Sequence, residues 1–379
     1  MSMRLLIPDL PCADALMPWL RRIDAARQYS NFGPLVRELE ATLAAHWPVA
    51  SIVPVGSDLH VRTASSGTAA LELAMAALDL PRGGEVLMPA FTFPATAAAA
   101  LRQGLRVLFA DVAEGSWQLG PTLAREVARH RRLALVMPVA TFGRPLDVAA
   151  WDAFSEDTGV PVVMDAAAAF GNQAIGHRAC AAFSLHATKP FGIGEGGLVA
   201  TRDAALAERV ARLSNFGFEG GRAGAVAGNA KMSEYAAAVA LCQWARRGAL
   251  RERRRARWPA YSALLDGLPD VARQTGFDAG DALPANLVLM LPVPAAPVAA
   301  ALAREGIETR RWYCPPLPAQ PAFAACPVVG ELPVTAALAG RSLGLPWHGF
   351  LTEADLDQLR CALATHFVPA LMQEPAGHA

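Results

Sequence analysis

Lysine is the residue this chain uses least. Of its 34 basic residues only two, Lys189 and Lys231, are lysines, so 32 arginines carry the remaining positive charge. A guanidinium stays protonated and has no nucleophilic lone pair, whereas an amine can form a Schiff base. A chain that otherwise avoids lysine has a reason to keep one where such a bond is needed. The first candidate is Lys189, in Ser184-Leu-His-Ala-Thr-Lys189-Pro-Phe-Gly-Ile-Gly-Glu-Gly196-Gly197. Other shortages exclude whole classes. Net charge is zero, from 34 acidic and 34 basic residues, so no bulk field attracts nucleic acid or an anionic membrane. Local arginines remain free to meet a small anion. The six cysteines contain no Cys-x-x-Cys, and Ser2-Met-Arg-Leu-Leu-Ile-Pro-Asp9 lacks a signal-peptide pattern, so a reducing cytoplasm is expected. No apolar run reaches transmembrane length without a charge or proline. At 379 residues, 53% hydrophobic and 18% charged, the chain has material for two domains.

From about residue 64 the sequence alternates short apolar runs with helical patterns. A helix is expected after Ser66 and from Ala95 to Gln103. Strands are expected at Glu85–Pro89, Arg106–Asp111, Leu133–Ala140, Val160–Asp165, Ala181–His186 and Leu198–Thr201. This rhythm predicts an α/β fold with a mainly parallel sheet covered on both faces. Arg222 to Asn229 reads as a flexible break, and Met232 to about Leu265 as a long helix or a pair of helices. Beyond it, Leu283–Pro292 reads as a strand, with helices at Val298–Arg304 and Thr352–Thr365. The expected division is a large domain over residues 1–245 and a smaller α/β domain over 246–379.

Two further signals accompany the lysine. Pro161-Val-Val-Met-Asp165 ends an apolar strand with a carboxylate, 24 residues before Lys189. Open α/β sheets bind ligands beyond the carboxyl ends of their strands, so Asp165 faces a cleft. Ser66-Gly67-Thr68 precedes an alanine-rich helix, where backbone N–H groups either form an anion nest or only start a capped helix. A lysine, a strand-end aspartate and an anion nest are the parts of a pyridoxal phosphate site. The lysine bonds the aldehyde, the aspartate keeps the ring nitrogen protonated, and the nest holds the phosphate.

The chain resembles the DegT/StrS-type sugar aminotransferases, pyridoxal-phosphate enzymes of the aspartate-aminotransferase fold, fold type I. The resemblance runs from Asn31-Phe-Gly-Pro34 to Leu345-Pro346-Trp347-His348. It rests on Ser66-Gly67-Thr68, Gly84 to Phe93, Asp165-Ala-Ala, Phe183 to Lys189, Gly194-Glu-Gly-Gly197 and Gly228-Asn229-Ala-Lys231-Met232-Ser-Glu234. It implies a seven-stranded large domain and a smaller C-terminal one. It further implies that Lys189 carries the cofactor, Asp165 pairs with the ring nitrogen, and Gly67, Thr68 and Ser184 hold the phosphate, with Ser66 beside them. Phe93 would lie over the cofactor face, its plainer alternative being a core phenylalanine, and Asn229 would reach the phosphate of a neighbouring subunit in a homodimer. The implied reaction moves an amino group, with glutamate as donor, onto a nucleotide-linked 3- or 4-keto-deoxy sugar. A pyridoxamine-dependent sugar dehydratase is an alternative on the same fold, though such relatives typically replace the lysine kept here. A non-catalytic cofactor-binding regulator is another.

Two departures from the family pattern stand out. Ala168 occupies the place of a polar Gln or His three residues after the aspartate, and Lys231 that of the arginine in Asn-x-Arg. Other features have simpler expected roles. Arg246, Arg247, Arg251, Arg253, Arg254, Arg255 and Arg257 read as the solvated face of a helix, and Trp244 and Trp258 as packing. His186, three residues before Lys189, is either a proton carrier or a core residue. Arg310, Arg311 and Tyr313 lie where the C-terminal part approaches substrate.

Overall fold

The structure, a computed structural model, describes residues 2–49, 58–268, 270–277 and 282–371. In chain order the large part comprises α1 (Ala13–Ala26), α2 (Pro34–Ala45), β1 (His60–Ala64), α3 (Gly67–Ala77), β2 (Glu85–Pro89) and α4 (Pro94–Arg102). These are followed by β3 (Arg106–Ala110), α5 (Pro121–His130), β4 (Leu133–Val136), α6 (Val148–Thr158), β5 (Val163–Asp165), β6 (Cys180–Ser184), β7 (Gly197–Thr201) and α7 (Ala204–Ser214). A small hairpin, β8 (Phe218–Glu219) and β9 (Arg222–Ala223), leads to α8 (Glu234–Asp266). The rest is β10 (Ala272–Arg273), β11 (Leu287–Met290), α9 (Ala295–Arg304), α10 (Pro333–Arg341), β12 (Ser342–Leu345) and α11 (Glu353–Leu371).

Hydrogen-bonded neighbours run β3-β2-β4 and β5-β6-β7-β1. Parallel bridges Val136↔Val162 and Val139↔Asp165 join the two groups into one seven-stranded surface. β2 pairs in parallel with β3 and β4, and β5 with β6, while β7 runs antiparallel to both β6 and β1. The sheet is therefore mostly parallel with one reversed strand, as fold type I requires.

Side chains alternate across a strand, and here each face feeds a separate core. Val86 and Met88 of β2 pack with Leu71 of α3, Ala97 of α4 and Val210 of α7. Leu87, the residue between them, packs with Leu39 of α2, Trp151 and Phe154 of α6 and Leu241 of α8. Strands buried on both faces are apolar throughout, which is why these segments read as continuous runs.

β10, β11 and β12 form a second, antiparallel sheet. Its core combines Leu289 and Leu343 with Val298 of α9, Leu359 of α11 and Tyr261 of α8. The expected break over 222–229 instead contains β9 and a bridge between Asn215 and Asn229. The long helical stretch is one helix of 33 residues that contains Pro259. The expected strand to Ala140 stops at Val136; beyond it the chain passes Pro138 before regaining only the single bridge at Val139. Among the described residues no helix is long and apolar enough to cross a membrane.

Candidate active site

β5 ends at Asp165, β6 ends at Ser184, and α3 begins at Gly67. Gly197 explains how the last two meet. Its register partners are Ala64 of β1 and Ser184 of β6, so β7 holds the start of α3 against the end of β6. A Cβ on Gly197 would lie 2.2 Å from the Ser66 carbonyl oxygen, and one on Gly67 would lie 2.6 Å from Ser184 Cβ. Glycine at both positions leaves room for this close approach. Ser66 caps α3, its Oγ accepting from Ala69 N at 3.1 Å. The first helical turn gives the N–H groups of Gly67 and Thr68 no intrahelical acceptor, so both remain available to an anion.

One cavity of about 360 Å³ is lined by Ser66, Gly67, Thr68, Phe93, Asp165, Ser184 and Lys189. The structure thus gathers seven of the eight expected site residues. The eighth, Asn229, lines an adjoining cleft of about 440 Å³ that shares Ser66 and Thr68. Phe93 is 52% exposed and so is not a core phenylalanine. A larger cleft of about 620 Å³ is lined by Trp47, Pro190, Phe191 and Arg251 among others and contains none of the expected site residues. Size alone does not mark the site.

Asp165 is 4% exposed. Burial pushes its pKa up, while hydrogen bonds from Thr96 and Ala167 and the nearby Lys189 charge pull it down. Thr96 Oγ1 donates to Asp165 Oδ2 at 2.7 Å, and Ala167 N to Oδ1 at 3.1 Å. Burial lowers the pKa of Lys189, opposed by Asp165. The site therefore holds a desolvated amine near a desolvated carboxylate, each adjusting the other's proton affinity.

His186 does not point into the core. It follows β6, lines the same cavity, and places Nδ1 2.9 Å from Thr188 Oγ1 and Nε2 3.7 Å from Glu195. Tyr313 and Arg310 also line the cavity, with Arg310 stacked 4.5 Å over Trp312. Burial and the Asp165 charge push the Tyr313 phenol upward. The arginine run is not simply solvated. Arg246 and Arg253 pair with Asp9 at 2.9 and 2.6 Å, and burial beside Arg251 lowers Arg254 to about 10. Trp244 and Trp258 are packing residues, as expected: Trp244 is buried and Trp258 meets Trp347 edge-on at 5.6 Å. Sequence reasoning missed Thr96, whose buried partner lies 69 residues away, and Leu6 and Asn286, brought to the cavity from distant segments.

A mostly parallel seven-stranded sheet with a lysine, an aspartate and an anion nest beyond its strand ends defines a fold-type-I transferase. Comparison with known proteins gives the family. The DegT/DnrJ/EryC1/StrS aminotransferase family pattern matches residues 14–363. Protein Rv3402c of Mycobacterium tuberculosis is 33% identical over 94% of this chain and 88% of its own length. The dTDP-3-amino-3,4,6-trideoxy-alpha-D-glucose transaminase of Streptomyces venezuelae is 31% identical over 86% of this chain and 85% of its own. The crystal structure of a putative PLP-dependent aminotransferase from Bacillus cereus superposes with a TM-score of 0.87 at 30% identity, covering 96% of this chain and 100% of that one. The chain belongs to the DegT/DnrJ/EryC1/StrS aminotransferase family and is an aminotransferase.

Proposed function

We propose that the enzyme uses pyridoxal 5'-phosphate to convert a keto sugar, a nucleotide-linked 3- or 4-keto-deoxy sugar, into an amino sugar, with glutamate as amino donor. One observation carries this reading: Lys189, Asp165, Ser184 and the start of α3 line a single cavity cleared by Gly67. The Streptomyces venezuelae relative, by its name a transaminase of a dTDP-linked 3-amino sugar, supports the substrate class. The residues present fit the cofactor. The glycine clearance and the N–H groups of Gly67 and Thr68 suit a phosphate, Ser184 Oγ supplies a donor, and an amine and a carboxylate line the same cavity.

When bound, pyridoxal phosphate supplies an electron sink for the charge left on a substrate carbon that has lost its proton. Lys189 Nζ would anchor the cofactor covalently, and the same amine, whose pKa burial lowers, would serve as the base that moves the proton. Asp165 would hold the proton on the ring nitrogen, Ser184, Gly67 and Thr68, with Ser66 beside them, would hold the phosphate, and Phe93 would cover the ring. Each Asn229 reaches the phosphate bound by the other chain of a homodimer. The chain divides at residue 245, inside α8, into a large cofactor domain and a smaller one, and it works in the cytoplasm.

The test adds glutamate to the reconstituted enzyme and follows conversion of bound pyridoxal phosphate to pyridoxamine phosphate, then offers a panel of nucleotide-linked keto sugars. The aminotransferase reading expects both half-reactions. A cofactor-binding regulator gives neither, and a dehydratase gives loss of a hydroxyl without net amino transfer.

A further inference from the structure

Asp165 stands in an awkward position for its proposed task. It must stay ionised to keep a proton on the ring nitrogen, yet it is almost fully buried, and burial favours its neutral form. The counterweight comes from α4. Thr92 and Thr96, both 0% exposed, bracket the start of that helix, and their hydroxyls lie 2.8 Å apart. Thr96 Oγ1 is 2.7 Å from Asp165 Oδ2. The direction of the chain follows from chemistry: an ionised carboxylate only accepts, so the Thr96 proton goes to Asp165, and Thr92 must then donate to Thr96. Each donation strengthens the next in a dry interior.

We propose that Thr96, steadied by Thr92, is a positioning residue that fixes the orientation and charge of Asp165 and thereby sets how firmly the cofactor's ring nitrogen keeps its proton. The inference rests on the cofactor reading above. Ala168, three residues after Asp165 and also in the cavity lining, offers no hydrogen-bonding side chain there. Removing the Thr96 hydroxyl takes a donor from the carboxylate, raises its proton affinity, and draws the shared proton away from the ring nitrogen.

The experiment compares Thr96→Val, which keeps shape and loses the donor, with Thr96→Ser, which keeps the donor. Holoenzyme is loaded with pyridoxal phosphate carrying ¹⁵N in the ring, and its nitrogen resonance is read alongside the rate of the glutamate half-reaction. Thr96→Val should shift the resonance toward the unprotonated value and slow the half-reaction roughly 10- to 100-fold, the scale of losing an outer support. Thr96→Ser should restore both. A folded Thr96→Val holoenzyme with wild-type resonance and rate overturns the proposal, since a merely structural role would leave the ring nitrogen unmoved. If Thr96→Val does not fold, Thr92→Val, which removes only the donor to Thr96, should give a smaller shift in the same direction, and none would overturn it. If the wild type takes up no pyridoxal phosphate, the cofactor reading fails separately. The ¹³C titration of the Asp165 carboxyl in the cofactor-free protein still decides the role of Thr96: its pKa must rise in Thr96→Val.

Discussion

The two lysines occupy different surroundings, although burial lowers the pKa of both. Lys231 Nζ donates to Asn215 Oδ1 at 2.7 Å and rests 4.9 Å from the centre of the Phe216 ring. Lys189 lies in the cavity with Asp165, and its ammonium is disfavoured by burial. Since burial lowers its pKa, the neutral and nucleophilic amine is reached at a lower pH than for free lysine. Pyridoxal phosphate followed by borohydride should therefore leave about one pyridoxyl group per chain on the Lys189 peptide, with Lys231→Arg labelled equally and Lys189→Ala unlabelled. Peptide mapping by mass spectrometry reads the outcome directly, and a label on Lys231 instead, or on neither, sinks the assignment. Lys189 and Asp165 were legible in the sequence because their signals are local: a scarce residue type in a glycine-rich turn, and a carboxylate closing an apolar run. Thr96 was not. A threonine near a helix start reads as a cap, and only the fold brings it within hydrogen-bond reach of Asp165.

Elements meet at the site through glycine. β7 runs between β1 and β6, and a methyl group at Gly197 would collide with the Ser66 carbonyl and with Gly67 N at 2.8 Å, both backbone atoms that cannot step aside. Gly197→Ala should destabilise the protein by about 1–3 kcal/mol, the usual cost of overpacking, and weaken pyridoxal phosphate binding by displacing the start of α3. Gly248 gives the contrast. It lies inside α8, and a Cβ there meets nothing within 4 Å. Gly248→Ala should leave cofactor affinity unchanged and add about 0.4–1 kcal/mol by restricting the unfolded chain. Thermal melts and cofactor titrations check both; equal behaviour of the two variants would refute the close-approach argument. The order of strands and helices could be read from the sequence because each strand is a short apolar run bounded by turns. What could not be read was how α8 packs. Its arginines look solvated by composition, but Asp9 and the Pro284 carbonyl, both far away in sequence, draw Arg246, Arg253 and Arg254 against the protein.

At the scale of the whole molecule, the segment around Asn229 is held firmly but outside the cavity of its own chain. Ser65 N donates to Ala230 O, Ala230 N to Ser214 O, and Phe216 N to Gly228 O. Just beyond, the buried Glu234 carboxylate accepts from Leu35 N and Val36 N at 2.8 and 2.9 Å, tying this segment to the first turn of α2. Nearby in sequence, Phe216, Phe218, Val226 and Tyr235 are exposed, and Tyr235 stacks on the exposed Tyr29. Apolar side chains gathered on a rigid support are what a partner surface would cover, and the proposed homodimer supplies one. Subunit exchange tests it. Lys189→Ala removes the amine, and Asn229→Glu adds a carboxylate that should repel a phosphate, so each homodimer should be inactive. If Asn229 serves the other chain's site, a mixed dimer gathers both defects in one site and leaves the second intact, and activity should return to about half the wild-type value per mixed dimer, as independent sites require. If Asn229 serves its own chain's site, both sites stay damaged. Mass spectrometry establishes that mixed dimers have formed, and their inactivity would reject the shared site.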